Sequence, residues 1–305
     1  EFAEKLGRDP LDLYCGVNMQ GGQPGGTSWP LLVDQRVSIG LWGAHSQNMF
    51  WESRSELGSS DDKKQFAYLR RTECYFGGGN RNPVITPSVK SMHQYTAYNP
   101  QWHGMAAFMT ARSPLSWDLA EEPFITYFNL GNGKFFNLNG ERQNNNSWYN
   151  VGMQDYLPTW RWWFASKLLG NKATDVPENG LDANFTWDDA YWGGSCLRLK
   201  GQTTTSRVKL FKTLLKTEPS YNISLTYKMS NELDTHAKLF VALKGKLTEY
   251  KEIAIPAAEK FGQWTTFTTT LDKLGLKSGD EIAMIGIRLD NTAKDYNMLV
   301  GELAV

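Results

Sequence analysis

The segment DEIAMIGIRLDN, Asp280 to Asn291, reads as an extended strand. Ile282, Met284, Gly286 and Arg288 fall on one face, and Ala283, Ile285, Ile287 and Leu289 on the other. Similar runs recur. YNISLTYKM (Tyr221 to Met229) alternates along its length and AKLFVALKG does the same. QWTTFTTTLDKL is rich in β-branched and aromatic residues, and MLVGELAV closes the chain as a last strand. Turn signals punctuate this half at Gly131-Asn132-Gly133, Asn139-Gly140, Gly193-Gly194, Asn231 and Gly262. Strands at such spacing, with no long helix among them, predict an antiparallel β-sandwich of the jelly-roll type from about Trp117 onward.

The texture before Trp117 differs. DLYCGVNMQ (Asp12 to Gln20) and RVSIGLWGAH (Arg36 to His45) are each a short apolar run ending in polar or small residues. A Gly- and Pro-rich linker separates them, in which Trp29-Pro30-Leu31-Leu32 fits a short crossover helix. Ahead of the first run, Phe2 to Leu6 predicts a helix closed by Gly7 and stopped by Pro10. After the second, Ser60 or Asp61 caps a further helix that presents Phe66 and Leu69. Strand, crossover, strand, helix is βα grammar, in which function gathers at the C-terminal ends of the strands. Two such units cannot close a barrel or a doubly wound sheet. The chain also begins EFAEKLGRDP, as if inside a helix, with neither a Met nor a signal-peptide pattern. It therefore reads as the downstream part of a longer polypeptide. The charged DLAEEP separates the two textures, which sets the expected domains at 1–118 and 119–305.

Composition excludes several functions. Lys plus Arg and Asp plus Glu both number 32, the formal charge is +0, and no block of like charge suggests a nucleic-acid or anionic-membrane partner. No apolar run of roughly 18 residues is present, so no transmembrane helix is expected. Cys15, Cys74 and Cys196 fit neither a disulfide framework nor a CxxC metal site, and His45, His93, His103 and His236 show no HExxH spacing. The aromatic share, 13%, is high. Flat rings stack on the apolar faces of sugars, but they also fill sandwich cores, and composition leaves the two open. LPTWRWWFAS (Leu157 to Ser166) sharpens that choice. As a strand it puts Trp160 and Trp162 on one face and Trp163 on the other. Fully burying such rings is worth about 2–3 kcal/mol each, enough for one face to anchor a domain seam. A sugar-stacking surface that includes Trp163 is the second reading.

No motif fixes a catalytic site by spacing. Asn139-Gly140-Glu141 has an Asn-x-Glu pattern but sits where a hairpin turn is expected. Asp188-Asp189 offers either oxygen ligands to a structural Ca²⁺ or a solvated turn. There is no GxSxG. The Gly-rich FGGGN (Phe76 to Asn80) follows a helix rather than preceding one, the wrong side for an anion site.

Four segments carry a family likeness: GRDPLDLYCGVNMQG, VSIGLWGAHSQNMFWESRS, WHGMAAFMTARSPLSWDLAEEPFITYFNLGNGKFFNLNGE and DAYWGGSCLRLKG. In this order they resemble the second half of a glycoside hydrolase family 85 enzyme, an endo-β-N-acetylglucosaminidase. The likeness runs over nearly the whole chain and is strongest from His103 to Gly140. It implies an α/β plus all-β fold, in which the last part of a (β/α)8 TIM barrel, with strands seven and eight, precedes an antiparallel jelly-roll β-sandwich. It also implies cleavage between the two GlcNAc residues of the N-glycan core by a retaining, substrate-assisted route. There the substrate's acetamido oxygen attacks the anomeric carbon to give an oxazolinium, while one Glu acts as acid and then base. An Asn two residues before that Glu orients the acetamido group. No metal or organic cofactor is implied. The implied partners are an N-linked glycan or glycoprotein substrate and the upstream barrel half of the same polypeptide. In the family the catalytic Asn-x-Glu lies near the middle of the barrel. It is therefore expected upstream of Glu1, and no catalytic residue is assigned within this chain.

What the chain should hold is part of the site's wall. On the resemblance, Asn18 and Gln20 follow the seventh strand, and Trp42 and His45 the eighth, all facing the sugar. Asn18 stands where many relatives carry Asp, which removes a charge. Trp42 either stacks on a sugar face or packs beneath a barrel helix. His45 reads as a hydrogen-bonded loop residue rather than a proton donor. Localisation is left open by the sequence: secreted or at the cell surface for a bacterial protein, cytosolic for a eukaryotic one. Two other readings stand beside the enzyme, a non-catalytic glycan-binding sandwich attached to a barrel remnant and a purely structural sandwich.

Overall fold

The computed structural model describes residues 2–18, 37–42, 115–158, 163–167 and 180–305. The chain divides into two compact units, Glu1–Arg112 and Ser113–Val305.

In the first unit, helix α1 (Phe2–Lys5) gives way to Gly7 at φ +68°, a left-handed position that glycine adopts without strain. Pro10 does more than stop this helix. It opens a 3-10 turn, Pro10–Asp12, whose preceding Asp9 carboxylate accepts the Leu11 N–H at 3.0 Å. Strands β1 (Tyr14–Asn18) and β2 (Ser38–Trp42) pair in parallel, from Tyr14↔Ser38 to Asn18↔Trp42. Parallel pairing is what a strand–crossover–strand unit requires, since a hairpin would make the pair antiparallel. Ser38 fastens the start of the pair: its hydroxyl donates to the Leu11 carbonyl at 2.6 Å and its N–H to that of Leu13 at 2.9 Å. The predicted crossover at Trp29–Leu32, the helix after Ser60 and the FGGGN segment lie outside the described residues.

The second unit is a β-sandwich. Its early strands are short: β3 (Leu115–Asp118), β4 (Ile125–Thr126), β5 (Asn132–Gly133), β6 (Phe136–Leu138), β7 (Glu141–Asn144), β8 (Trp148–Tyr149) and β9 (Trp163–Lys167). The later ones lengthen: β10 (Asp182–Thr186), β11 (Cys196–Lys200), β12 (Thr203–Lys216), β13 (Asn222–Met229), β14 (Ala237–Leu243), β15 (Lys246–Ala254), β16 (Trp264–Thr270), β17 (Glu281–Thr292) and β18 (Asn297–Ala304). One sheet runs β10-β11-β18-β13-β16, with β4 also beside β18. The other runs β15-β14-β17-β12-β3, with β9 also beside β12. They are called here the β13 sheet and the β17 sheet.

The runs read as strands at 221–229, 237–245, 263–274 and 280–291 contain β13, β14, β16 and nearly all of β17. β17 is apolar on both faces because it lies mid-sheet and both faces are covered. Its Ile285 and Ile287 share the inward face with Phe211, Val208, Leu239 and Val241, all fully buried. On the opposite face Phe240, Ala242 and Met284 form a second buried cluster against which Tyr250 packs. Gly286 makes room for it: a Cβ there would lie 2.4 Å from the Val208 carbonyl and 2.5 Å from the Phe240 ring. From the β13 sheet, Leu197, Leu225, Tyr227 and Val300 are fully buried, and the Tyr227 hydroxyl donates to the Pro256 carbonyl at 2.7 Å.

Three details depart from the sequence reading. β3 runs parallel to β12, so the sandwich is not wholly antiparallel, and Leu115–Asp118 pairs here although texture placed the boundary after it. A four-residue edge strand is too short to carry a period of its own. Asn132 and Gly133, read as part of a turn, form β5 and pair with Tyr149 and Trp148. Asn139-Gly140, by contrast, is the expected hairpin turn between β6 and β7, with φ +51° and +80° at its two residues.

Candidate functional site

The parallel register of β1 and β2 sets Asn18 and Trp42 opposite one another at the C-terminal ends of adjacent strands. Such ends are where βα architectures gather their chemistry. The Trp42 side chain is 69% exposed, a large apolar area held out from the first unit. Tyr14, at the other end of the pair, is also exposed, and Cys15 carries a free thiol. Gln20 and His45 lie outside the described residues. Trp163 opens β9, where its backbone pairs with Lys209, and Trp160 and Trp162 lie outside the described residues. The structure thus brings Asn18 and Trp42 together and sets Trp163 in the other unit. Glu141 is exposed at the start of β7, directly after the hairpin turn.

A concentration of charged, hydroxyl and aromatic side chains sits on the outer face of the β13 sheet. Its foundation is two ion pairs. Asp189 pairs with Lys228, and it also accepts the Ala190 N–H at 2.8 Å and the Asn137 amide at 3.2 Å. Asp188 meets Arg198 at 3.0 Å. Asp188 keeps the exposure expected of a solvated turn, and through these two ion pairs the aspartates tie the 187–195 loop to β11 and β13. Among the described residues no group of three or more His, Cys, Asp or Glu could hold a metal ion, and no helix is long and apolar enough to cross a membrane.

Over that base runs a belt of rings. Trp148 meets Phe136 at 5.3 Å, Phe136 meets Trp192 at 5.5 Å, Trp192 stacks on Tyr127 at 5.4 Å, and Tyr127 lies 6.5 Å from Tyr191. Tyr191 then meets Trp264 edge-on at 5.7 Å. Trp264 is wedged by two glycines: a Cβ on Gly140 would lie 2.4 Å from the indole and one on Gly301 2.6 Å from it. Lys228 rests 5.1 Å over the same ring. Trp264 is accordingly a wall of the face rather than a free platform.

Glu302, on β18, lies in the midst of this. Its carboxylate accepts the Thr226 hydroxyl at 3.3 Å, and Thr226 in turn shares a 2.9 Å bond with Thr266. Burial raises the Glu302 carboxyl above the ordinary range, against the Thr226 hydrogen bond, which lowers it. Burial and then the Glu302 charge likewise raise the phenols of Tyr127 and Tyr191. Asp155 holds the Tyr127 backbone, accepting the N–H groups of Tyr127 and Asn129 at 3.0 Å each. Cys196 is fully buried and its thiol is pushed well up, chiefly by that burial, which leaves it unreactive. Sequence reasoning missed Glu302, Tyr127 and Tyr191. The available signal was the single carboxylate in the otherwise apolar closing run MLVGELAV.

No family model matches the chain, and no curated protein matches it. Among solved structures it is similar to the Endo-D glycoside hydrolase domain of Streptococcus pneumoniae R6, with 23% identity and a TM-score of 0.64 over 99% of this chain and 43% of that one. The chain shares the fold of that domain and spans less than half of its length. The likeness to glycoside hydrolase family 85 read from the sequence holds in the fold. The xylan-binding domain CBM22-1 of Paenibacillus barcinonensis overlaps 42% of this chain and 81% of its own length, at 18% identity and a TM-score of 0.29. That overlap is too loose to bear on function.

Proposed function

We propose that this chain is the closing part of a retaining endo-β-N-acetylglucosaminidase barrel together with the sandwich that follows it, acting on N-linked glycans and glycoproteins. The observation that carries this reading is the shared fold with the Endo-D glycoside hydrolase domain across 99% of the chain. In this reading β1 and β2 are the last two barrel strands, and the catalytic Asn-x-Glu lies upstream of Glu1. The 43% share of the neighbour's length leaves room for that upstream part.

The chain's own contribution is then a wall for the sugar. Trp42, exposed at a strand end, offers a flat apolar face for a pyranose, and Asn18, opposite it in the strand register, is an uncharged residue where many relatives carry Asp, so no charge-based role is assigned to it. Gln20 and His45 extend the same wall, and Trp163 is a further stacking residue on the sandwich. Substrate-assisted cleavage needs one acid/base carboxyl and a held acetamido group, and it requires no metal.

The test is a mass-resolved digest of a high-mannose glycopeptide, with this chain alone and with this chain joined to its native upstream segment. Release that leaves one GlcNAc on the peptide, only when the upstream segment is present, is the expected result. In that joined protein Trp42→Ala should raise KM several-fold, the loss of one stacking contact. Release by this chain alone would return attention to Glu141. No release from either would defeat the enzyme reading and leave the glycan-binding module.

A further inference from the structure

The outer face of an antiparallel sheet is ordinarily polar and solvated, and threonines alone would call for no explanation. The β13 sheet goes beyond that in three respects. Glu302 is half-buried yet has no cationic partner among the described residues, whereas Asp189, the other partly buried carboxylate on this face, pairs with Lys228. Among the described residues its only hydrogen bond is the 3.3 Å contact from Thr226 to one oxygen, and none of them donates to the other oxygen. The rings beside it are also preorganised rather than loose. Asp155 pins the Tyr127 backbone, Trp192 backs the Tyr127 ring, and Gly301 lets Tyr191 and Trp264 close down on β18. Finally, no protein group among the described residues hydrogen-bonds the Tyr127 or Tyr191 hydroxyl, while Thr266 and Thr268 are exposed along the same face.

We propose that this face binds a neutral oligosaccharide, seated against the rings of Tyr127 and Tyr191 and held by hydrogen bonds to Glu302, Thr266 and Thr268. The chemistry selects the class. A sugar presents an apolar face to stack on rings and, at right angles, hydroxyls that donate to a carboxylate and both donate to and accept from threonine. An acidic sugar or a phosphate is disfavoured, because Glu302 is unneutralised and the nearby cations Lys228 and Arg198 already face Asp189 and Asp188. The proposal stands apart from the enzyme reading, since it needs neither the barrel nor any catalysis.

The experiment titrates the whole 305-residue chain with neutral trisaccharides of glucose, mannose, xylose and N-acetylglucosamine, followed by calorimetry and tryptophan fluorescence. At least one should bind, with an affinity that falls roughly five- to tenfold in Tyr191→Ala and in Glu302→Gln, the loss of one stacking or hydrogen-bonding contact. Tyr191→Phe and Tyr127→Phe keep the rings and the fold, so they read out the hydroxyls should the alanine variant not fold; each should weaken binding by less than the alanine change. Phe2→Ala and Tyr149→Ala, both at exposed rings elsewhere, should leave binding unchanged. Binding lost in Trp42→Ala would assign it to the strand ends and overturn the proposal. So would a folded chain that binds none of these sugars, or one that binds a lysine-rich peptide through Glu302 and no sugar.

Discussion

On the outer face of the β17 sheet, Arg207, Arg288 and Lys238 stand in one cross-strand row, and each is answered by a carboxylate. On the outer face of the β13 sheet, the row Glu302, Thr226 and Thr266 holds a single charge with no cation to meet it among the described residues. The first row would repel itself if left alone. Glu252 bridges it, accepting from Arg207 at 2.8 and 3.0 Å through one oxygen and from Arg288 at 2.8 Å through the other. Asp290 takes Arg288 at 2.9 Å and Lys238 at 3.6 Å. Arg207 also lies 4.3 Å over the Tyr250 ring, which joins this network to the buried Phe240 cluster. One face has satisfied its charges internally and so spends them on stability. The other keeps a carboxylate that folding does not use, and an unused, half-buried charge points to a ligand.

That contrast can be broken in descending order of effect. Phe240→Ala on the β17 sheet should cost about 3–5 kcal/mol, because the ring fills the space over Gly286 and leaves a cavity there. Urea denaturation measures it, and a loss no larger than that of an exposed threonine would show the cluster to be unimportant. Glu252→Ala should cost about 1–3 kcal/mol by stranding two half-buried guanidiniums, and a measured cost near zero would mean that the network is only surface decoration. Thr266→Ala, on the β13 sheet, should change stability by less than about 0.5 kcal/mol.

Glu302→Gln should have the opposite sign to Glu252→Ala, and its pH dependence gives the sharper test. Burial raises the Glu302 carboxyl in the folded state, so the ionised form is penalised there. The protonated group's contribution is fully present below the unfolded pKa and is lost as pH rises through the raised folded pKa. The glutamine variant should thus match the parent in acid and become the more stable of the two as the solution approaches neutrality. A stability difference that does not change with pH would mean that folding ignores this carboxylate's charge.

The sequence made the long strands legible because their side chains alternate against covered faces, and the β6–β7 turn legible because Asn-Gly supplies two left-handed residues. What stayed hidden depends on pairing between distant segments. MLVGELAV reads as one more apolar strand, and only its place between β11 and β13 turns Glu302 toward the rings of a loop more than a hundred residues earlier. The ion pairs of Asp188 and Asp189 were not legible because the cations that meet them, on β11 and β13, are not their neighbours in sequence. Asn18 and Trp42 were legible as strand ends from local pattern alone, and the parallel register then set them side by side.

The position of β18 has a consequence for how the molecule is made. It is the last of these strands to leave a ribosome, yet it separates β11 from β13 in the finished sheet. Until Asn297–Ala304 emerge, the nascent chain carries that sheet as two fragments, each with an unpaired edge open to chaperones and to other chains. Glu302 and Gly301 arrive with the same strand. A protein released before it has no closed sheet and no carboxylate among the rings, so incomplete products cannot compete for whatever that face recognises.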